Sequence, residues 1–315
     1  MMKHFLTINA LDAQAFKDLL AVAIYLKRRR AQGVPEQALA RKTLAMVFEK
    51  PSLRTRISFE QAMYELGGQA IYIRGEEIGI GKREAIQDIA RVLGRMVQGI
   101  MARVYQHQTI QDLAQWSGVP VVNGLCDLSH PCQILGDFLT IQEHLGTTSG
   151  LRIVFIGDAN NVSRSLASAC VLTGSQLVLA CPKGYGFTAD KIAALGAAWG
   201  TSVIETSDPI AAATGAHVLY SDVWTSMGQE AEREQRLRDF AGFCINGRLL
   251  AAARPDCRIM HCLPAHRGEE ITDEAMEHPR SIVFDQAENR LHAQKAVLRV
   301  LMGPDPDGVV AAACG

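Results

Sequence analysis

No apolar stretch in the 315 residues approaches the ~20 needed for a membrane-spanning helix. The opening Met1-Met2-Lys3-His4-Phe5-Leu6 lacks the apolar core of a secretion signal and soon turns polar, so a cytoplasmic protein is expected. Charge of one sign is missing too: 32 Lys and Arg face 33 Asp and Glu, a formal net charge of −1. That balance argues against binding nucleic acid or anionic membrane through bulk charge, and leaves room for a local basic site for a small anion. The eight cysteines, at 126, 132, 170, 181, 244, 257, 262 and 314, form no CxxC pair. Buried free thiols are expected, with neither a disulfide framework nor a structural zinc site. The phosphate-loop pattern GxxxxGK[ST] does not occur, so a nucleotide is not the obvious anion. There is no internal repeat and no low-complexity tract.

What is present is a chain with 48% apolar and 21% charged residues, long enough for two domains with a sizeable core each. Strand-like and helix-like segments alternate almost throughout. Strands are expected at 43–49, 70–74, 99–105 and 120–123, with helices at 53–66, 83–96, 109–116 and 131–145. Gly146-Thr147-Thr148-Ser149-Gly150 is the clearest linker. A second series follows, with strands at 151–158, 176–181, 202–206, 217–223, 258–263 and 281–285. Helices are expected at 162–172, 188–199 and 288–302, and the tail 303–315 is expected to fray. The fold class is therefore α/β: two doubly wound, mostly parallel α/β domains, residues 1–146 and 147–315, with the C-terminal helix packing back on the first.

In such sheets ligands sit outside the carboxyl ends of the strands, and three of these junctions are unusual. The first is Glu49-Lys50-Pro51-Ser52-Leu53-Arg54-Thr55-Arg56. Ser52 stands where an N-cap belongs, and the first helical turn carries two arginines and two hydroxyls. Cations at a helix N-terminus oppose its dipole, an arrangement that a bound anion resolves. The bland alternative is a capped surface helix with solvated arginines. The second is Ser129-His130-Pro131-Cys132-Gln133, where Pro131 suits the first helical position and His130 the cap. The third is Met260-His261-Cys262-Leu263-Pro264, a thiol at a strand end. Alone, His130 can be a simple cap and Cys262 a simple core thiol.

Together the junctions resemble the aspartate/ornithine carbamoyltransferase family over about residues 5–301. The family's Ser-x-Arg-Thr-Arg is Ser52 to Arg56 here, and its His-Pro-x-Gln is His130 to Gln133. Asp222-Val223-Trp224-Thr225-Ser226-Met227-Gly228 and His261-Cys262-Leu263-Pro264 resemble the motifs of its ornithine branch. The resemblance implies a carbamoyl phosphate-binding first domain and an ornithine-binding second domain. It implies that Ser52, Leu53 (through its amide), Arg54, Thr55, Arg103, His130, Gln133, Cys262, Leu263 and Arg290 bind carbamoyl phosphate. Asn161, Asp222, Ser226 and Met227 would bind ornithine, and Arg103, His130 and Cys262 would be the catalytic groups. It implies no cofactor and no metal, and small-molecule partners only: carbamoyl phosphate and L-ornithine, with neither nucleic acid nor membrane. It also implies a homotrimer, or a multiple of trimers, in which a loop at 79–83 reaches a neighbour's site. Two departures stand out. Leu53 replaces the Thr of many relatives. Gly79 replaces their Gln or His, which leaves Lys82 or Arg83 to take over the contact.

The implied reaction is acyl transfer to an amine, giving citrulline and phosphate within arginine metabolism. It needs donors for a developing oxyanion and a leaving phosphate, and no side-chain nucleophile. A δ-amine like that of Lys is only about one part in 10³ neutral near pH 7.4, so freeing it costs about 4 kcal/mol. Three rival readings are weaker. A nicotinamide-dependent Rossmann enzyme lacks GxGxxG after the strand 151–158. A metal site of His130, His261 and Cys262 lacks paired spacing. A non-catalytic relative would not be expected to keep every motif intact. Among amines, aspartate wants extra cations whereas Asp222 repels a carboxylate; putrescine and a modified ornithine are harder to exclude.

Overall fold

The structure is a computed structural model that describes residues 2–80, 83–225 and 230–315. The chain forms two compact units, Met1–Leu139 with Glu288–Gly315, and Thr140–Ala287.

The first unit is built on a four-stranded parallel sheet in the order β2-β1-β3-β4. Its strands are β1 (Thr43–Phe48), β2 (Gln69–Arg74), β3 (Gly99–Arg103) and β4 (Val121–Leu125). The longer helices are α1 (Ala13–Ala31), α2 (Leu53–Glu65), α3 (Ile86–Met96), α4 (His107–Trp116) and the first part of α5 (Pro131–Leu145). β1 and β3 are buried at almost every position, because helices cover both faces of a parallel sheet. The chain turns one way from β1 to β2 and the other way to β3. The switch point therefore lies between β1 and β3, where Phe48 pairs with Arg103. A bulge between β3 and β4, at Ala102/Arg103, interrupts the ladder there.

The second unit holds a five-stranded parallel sheet, β7-β6-β5-β8-β9. Its strands are β5 (Arg152–Ile156), β6 (Gln176–Ala180), β7 (Val203–Thr206), β8 (Val218–Ser221) and β9 (Arg258–His261). Its longer helices are α6 (Asn161–Thr173), α7 (Ala189–Leu195) and α8 (Arg233–Asp239). Here the switch point lies between β5 and β8, where Ile156 pairs with Ser221.

Two further helices close the chain, α9 (Val283–Met302) and α10 (Pro306–Cys314). The division between units falls inside α5 and α9, not at the 146–150 linker, and from Glu288 the C-terminal helices group with the first unit as expected. Among the described residues no helix is long and apolar enough to cross a membrane.

Three local expectations need correction. Residues 281–285 are not a strand: Ser281 makes one bridge to Ile259, then α9 begins at Val283 with Phe284 exposed. The tail does not fray. Asp305 caps α10 by accepting from the Gly308 amide at 2.9 Å, Pro306 occupies the first turn, and α10 packs on α1 with Val309 buried. The helix expected at 83–96 starts only at Ile86.

Candidate active site

In the first unit, Ser52 caps α2: its Oγ accepts from the Thr55 amide at 3.3 Å. It also donates to Thr55 Oγ1 at 3.1 Å. Arg290, on α9, donates to the same Oγ1 at 2.8 Å. Both bonds arrive at lone pairs of the buried Thr55 hydroxyl, which leaves its proton to point at an acceptor. Leu53 is the first residue of α2 and its side chain is 70% exposed, so the backbone N–H is what it offers there. Arg56, the last residue of the motif, turns outward: its Nε meets Glu60 at 2.9 Å and its guanidinium lies 4.3 Å from the Tyr72 ring centre.

Arg103 ends β3 and is buried. Burial, then Arg290 and then Arg54, push its guanidinium down to about 9, so it stays cationic at neutral pH. Among the described residues its Nε has no hydrogen-bond partner. His130, immediately before α5, is held well below its ordinary 6.5 by burial and then by Arg290 and Arg103. It is therefore neutral at pH 7. Gln133 is buried one turn into α5, and its Nε2 donates to Asp137 at 2.9 Å, which leaves Oε1 as an acceptor. Three arginines, a neutral histidine and the N-terminus of α2 thus converge at one switch point. Such a set is built for an anion with several oxygens.

In the second unit, Asp222 follows β8 and is nearly buried. Cys262, directly after β9, donates its thiol to Asp222 Oδ1 at 2.9 Å. Asn160 Nδ2 donates to Asp222 Oδ2 at 2.8 Å, while its Oδ1 caps α6 by accepting from the Val162 and Ser163 amides. Asn161 is the first residue of α6, beside this cap. Among the described residues of this unit, no cation pairs with Asp222. Leu263 donates its N–H to His261 Nδ1 at 2.9 Å, so the other ring nitrogen, Nε2, carries the proton and donates it to Glu270 at 3.0 Å. Ser226 and Met227 lie outside the described residues, as does Lys82.

The structure thus brings Ser52, Leu53, Arg54, Thr55, Arg103, His130, Gln133 and Arg290 together in the first unit, and Asn161, Asp222, Cys262 and Leu263 in the second. Of the metal set weighed from sequence, His261 bonds Glu270 and Cys262 bonds Asp222. His266, Glu269 and Glu270 do converge, yet Glu270 Oε1 already accepts from His261 and from the His266 amide, and Glu269 pairs with Arg233. Sequence reasoning missed Asp137, Asn160, Asp158 and Arg236. Asn160 had a usable signal, an Asn at a helix start, and Asp137 had another, its i,i+4 spacing from Gln133 on α5; Asp158 and Arg236 are paired only by the fold.

In comparison with known proteins, residues 3–143 match the aspartate/ornithine carbamoyltransferase carbamoyl-P binding domain, and residues 149–301 match the family's Asp/Orn binding domain. The family models part the chain at 143/149, around the 146–150 linker, and so assign residues 140–143 and 288–301 otherwise than the compact units do. An ornithine carbamoyltransferase of Methanosarcina mazei is 48% identical over 302 residues, covering 96% of this chain and 100% of that one. The ornithine carbamoyltransferase structure from Pyrococcus furiosus is 47% identical with a TM-score of 0.91, over 96% of this chain and 97% of that one. The structure from Thermus thermophilus is 46% identical with a TM-score of 0.87, over 96% and 99%. The chain belongs to the aspartate/ornithine carbamoyltransferase family.

Proposed function

We propose that this protein transfers the carbamoyl group of carbamoyl phosphate to the δ-amine of L-ornithine, giving L-citrulline and phosphate. The observation that carries the proposal is Asp222. It is a nearly buried carboxylate at a switch point, oriented by Asn160 and Cys262, with no cation of its own unit beside it among the described residues. Leaving it so is costly unless a substrate cation arrives, and an acceptor-only group pairs with an ammonium and not with a second carboxylate. That favours ornithine over aspartate. The relatives' names point the same way.

In the proposed step the neutral δ-nitrogen attacks the carbamoyl carbon, and the bond from that carbon to the phosphate oxygen breaks. The phosphate leaves with the electron pair of that bond and takes up the one proton that the nitrogen loses, so it departs as hydrogen phosphate. Arg103 and neutral His130 face the carbonyl oxygen as charge grows on it. Arg54, Arg290, Ser52, Thr55 and the α2 amides take the phosphate. Gln133 Oε1, assigned as acceptor by Asp137, holds the carbamoyl NH2. Asn161, Asp222, Ser226 and Met227 hold ornithine, and Cys262 and Leu263 complete the arrangement. The largest contribution is electrostatic preorganisation, since these donors are in place before the reaction begins.

The working assembly is proposed to be a homotrimer with a loop contact from Lys82 or Arg83. Exposed apolar side chains support it: Leu53, Ile57 and Tyr64 on α2, and Val92 and Met96 on α3. Eight cysteines outside any disulfide fit a reducing compartment, and the cytoplasm is the proposed location. Phosphate release tests the reading. Adding carbamoyl phosphate and L-ornithine should release one phosphate per citrulline formed; release independent of ornithine would contradict it.

A further inference from the structure

Asp222 has a neighbour of the same charge. Asp158 follows β5 as Asp222 follows β8, both are nearly buried, and the two carboxylates repel. Burial pushes the Asp158 carboxyl up to about 6, and Arg236 opposes that push. Arg236 Nη1 donates to Asp158 Oδ2 at 2.8 Å and to the Trp224 carbonyl at 2.9 Å. Its Nε donates to Glu232 at 2.9 Å, and its guanidinium lies 5.2 Å from the Tyr185 ring centre. Tyr185 is fixed in turn: its hydroxyl donates to Asp239 and its carbonyl accepts from Ala159, the residue after Asp158. Trp224 stacks on Phe240 at the end of α8. One buried guanidinium therefore ties the end of β5 to residues on both sides of the stretch 226–229.

Two buried carboxylates and one cation leave a single uncompensated charge. We infer that Arg236 is a positioning residue that sets the charge of the amine site: by neutralising Asp158 it leaves Asp222 as the carboxylate available to a substrate ammonium. Arg236 touches no substrate in this account. The inference rests on the reading of Asp222 as the amine-facing group. A purely structural ion pair makes a different forecast. It would lower folding stability when broken, without singling out one substrate.

Charge balance has a signature in steady-state kinetics. Arg236→Gln leaves a second carboxylate free to compete for the ammonium. Asp158→Asn leaves the guanidinium with only the exposed Glu232 to offset it, and the added positive charge repels the ammonium. Both single variants should raise the KM for ornithine by about tenfold, the size of one lost charge-assisted bond, with the KM for carbamoyl phosphate within about twofold of parental. The double variant Asp158→Asn/Arg236→Gln removes both charges and should recover most of the lost ornithine affinity, a strongly non-additive cycle. Arg236→Lys keeps the charge, should stay within about threefold, and serves if Arg236→Gln does not fold. Parental KM for ornithine in both single variants, equal rises for both substrates, or additive losses in the double variant would overturn the inference. Asp222→Asn separates the two claims. If it leaves ornithine use intact, the reading of Asp222 fails; if it impairs ornithine use while Arg236→Gln does not, only the role of Arg236 fails.

Discussion

Replacing Arg54 by Ala should separate binding from folding. Arg54 sits half-buried in the first turn of α2, and its charge adds to that of Arg103 and Arg290. In the free protein these cations repel one another, and burial magnifies the repulsion. Losing Arg54 therefore relieves strain in the empty site while removing donors from the occupied one. A charge-assisted hydrogen bond is worth roughly 1.5–3 kcal/mol, so loss of two costs at least about 3 kcal/mol, or on the order of 10²-fold in affinity. Folding stability should be unchanged or slightly raised, the pattern expected where a functional site is assembled at the expense of stability. Arg56 supplies the internal control. It belongs to the same motif, but it pairs with Glu60 and lies over Tyr72 on the exposed side, where an ion pair contributes about 0–1 kcal/mol. Calorimetric titration with carbamoyl phosphate, alongside thermal unfolding, reads both quantities. We expect Arg54→Ala to lose about a hundredfold in affinity and Arg56→Ala less than about threefold. Equal effects from the two variants, or parental affinity in Arg54→Ala, would refute the anion-site argument.

Other expectations concern substrate choice, pH and assembly. Asp222→Asn should lower kcat/KM for ornithine by at least about tenfold while carbamoyl phosphate binding changes little, since only the ion-pair contribution of roughly 1.5–3 kcal/mol is lost. His130 is neutral when folded and takes up a proton near its ordinary 6.5 when unfolded, so its contribution to stability is complete above that value and is lost as pH falls. Thermal stability should thus decline from about pH 7.5 to 6, and His130→Gln should flatten the decline. Asp158, raised to about 6, takes up its proton from about pH 7 downward and acts in the opposite sense, offsetting part of the decline in parent and variant alike. A slope in His130→Gln as steep as in the parent would contradict the assignment. For the proposed trimer, mixing Arg54→Ala chains with Lys82→Ala/Arg83→Ala chains should restore part of the activity lost by each; a fully active monomer in sedimentation would exclude it.

The alternation of strand and helix was legible because buried parallel strands read as continuous apolar runs, as in Leu177-Val178-Leu179-Ala180, and because caps such as Ser52 and Pro131 mark helix starts. The candidate anion site was legible in part for the same reason: Ser52, Leu53, Arg54 and Thr55 share one strand end and one helix start, whereas Arg290 is 235 positions from the Thr55 hydroxyl it bonds and reaches it only through the fold. The amine side was legible only as separate motifs. Asp222 and Cys262 are 40 positions apart, and Arg236 and Asp158 are 78 apart. No periodicity joins such pairs; the parallel register of β8 and β9 brings Asp222 to Cys262, and the packing of α8 brings Arg236 to Asp158. Residues 281–285 misread as a strand because Ser281-Ile282-Val283-Phe284 is β-branched and apolar, yet Phe284 faces solvent at the start of a helix. The tail misread as frayed because it is rich in Pro, Gly and Ala, although Asp305-Pro306 is a helix-start signal.

The central claim is the choice of amine, and competition among amines tests it most directly. Purified protein with carbamoyl phosphate should be given L-ornithine, L-aspartate, putrescine and acetylornithine in parallel, with each carbamoylated product quantified by mass. The account predicts citrulline as the dominant product, with kcat/KM for ornithine at least about tenfold above every other amine, because loss of a matched ionic group costs roughly 1.5–3 kcal/mol. Preferential carbamoylation of aspartate, or equal use of putrescine and ornithine, would contradict it.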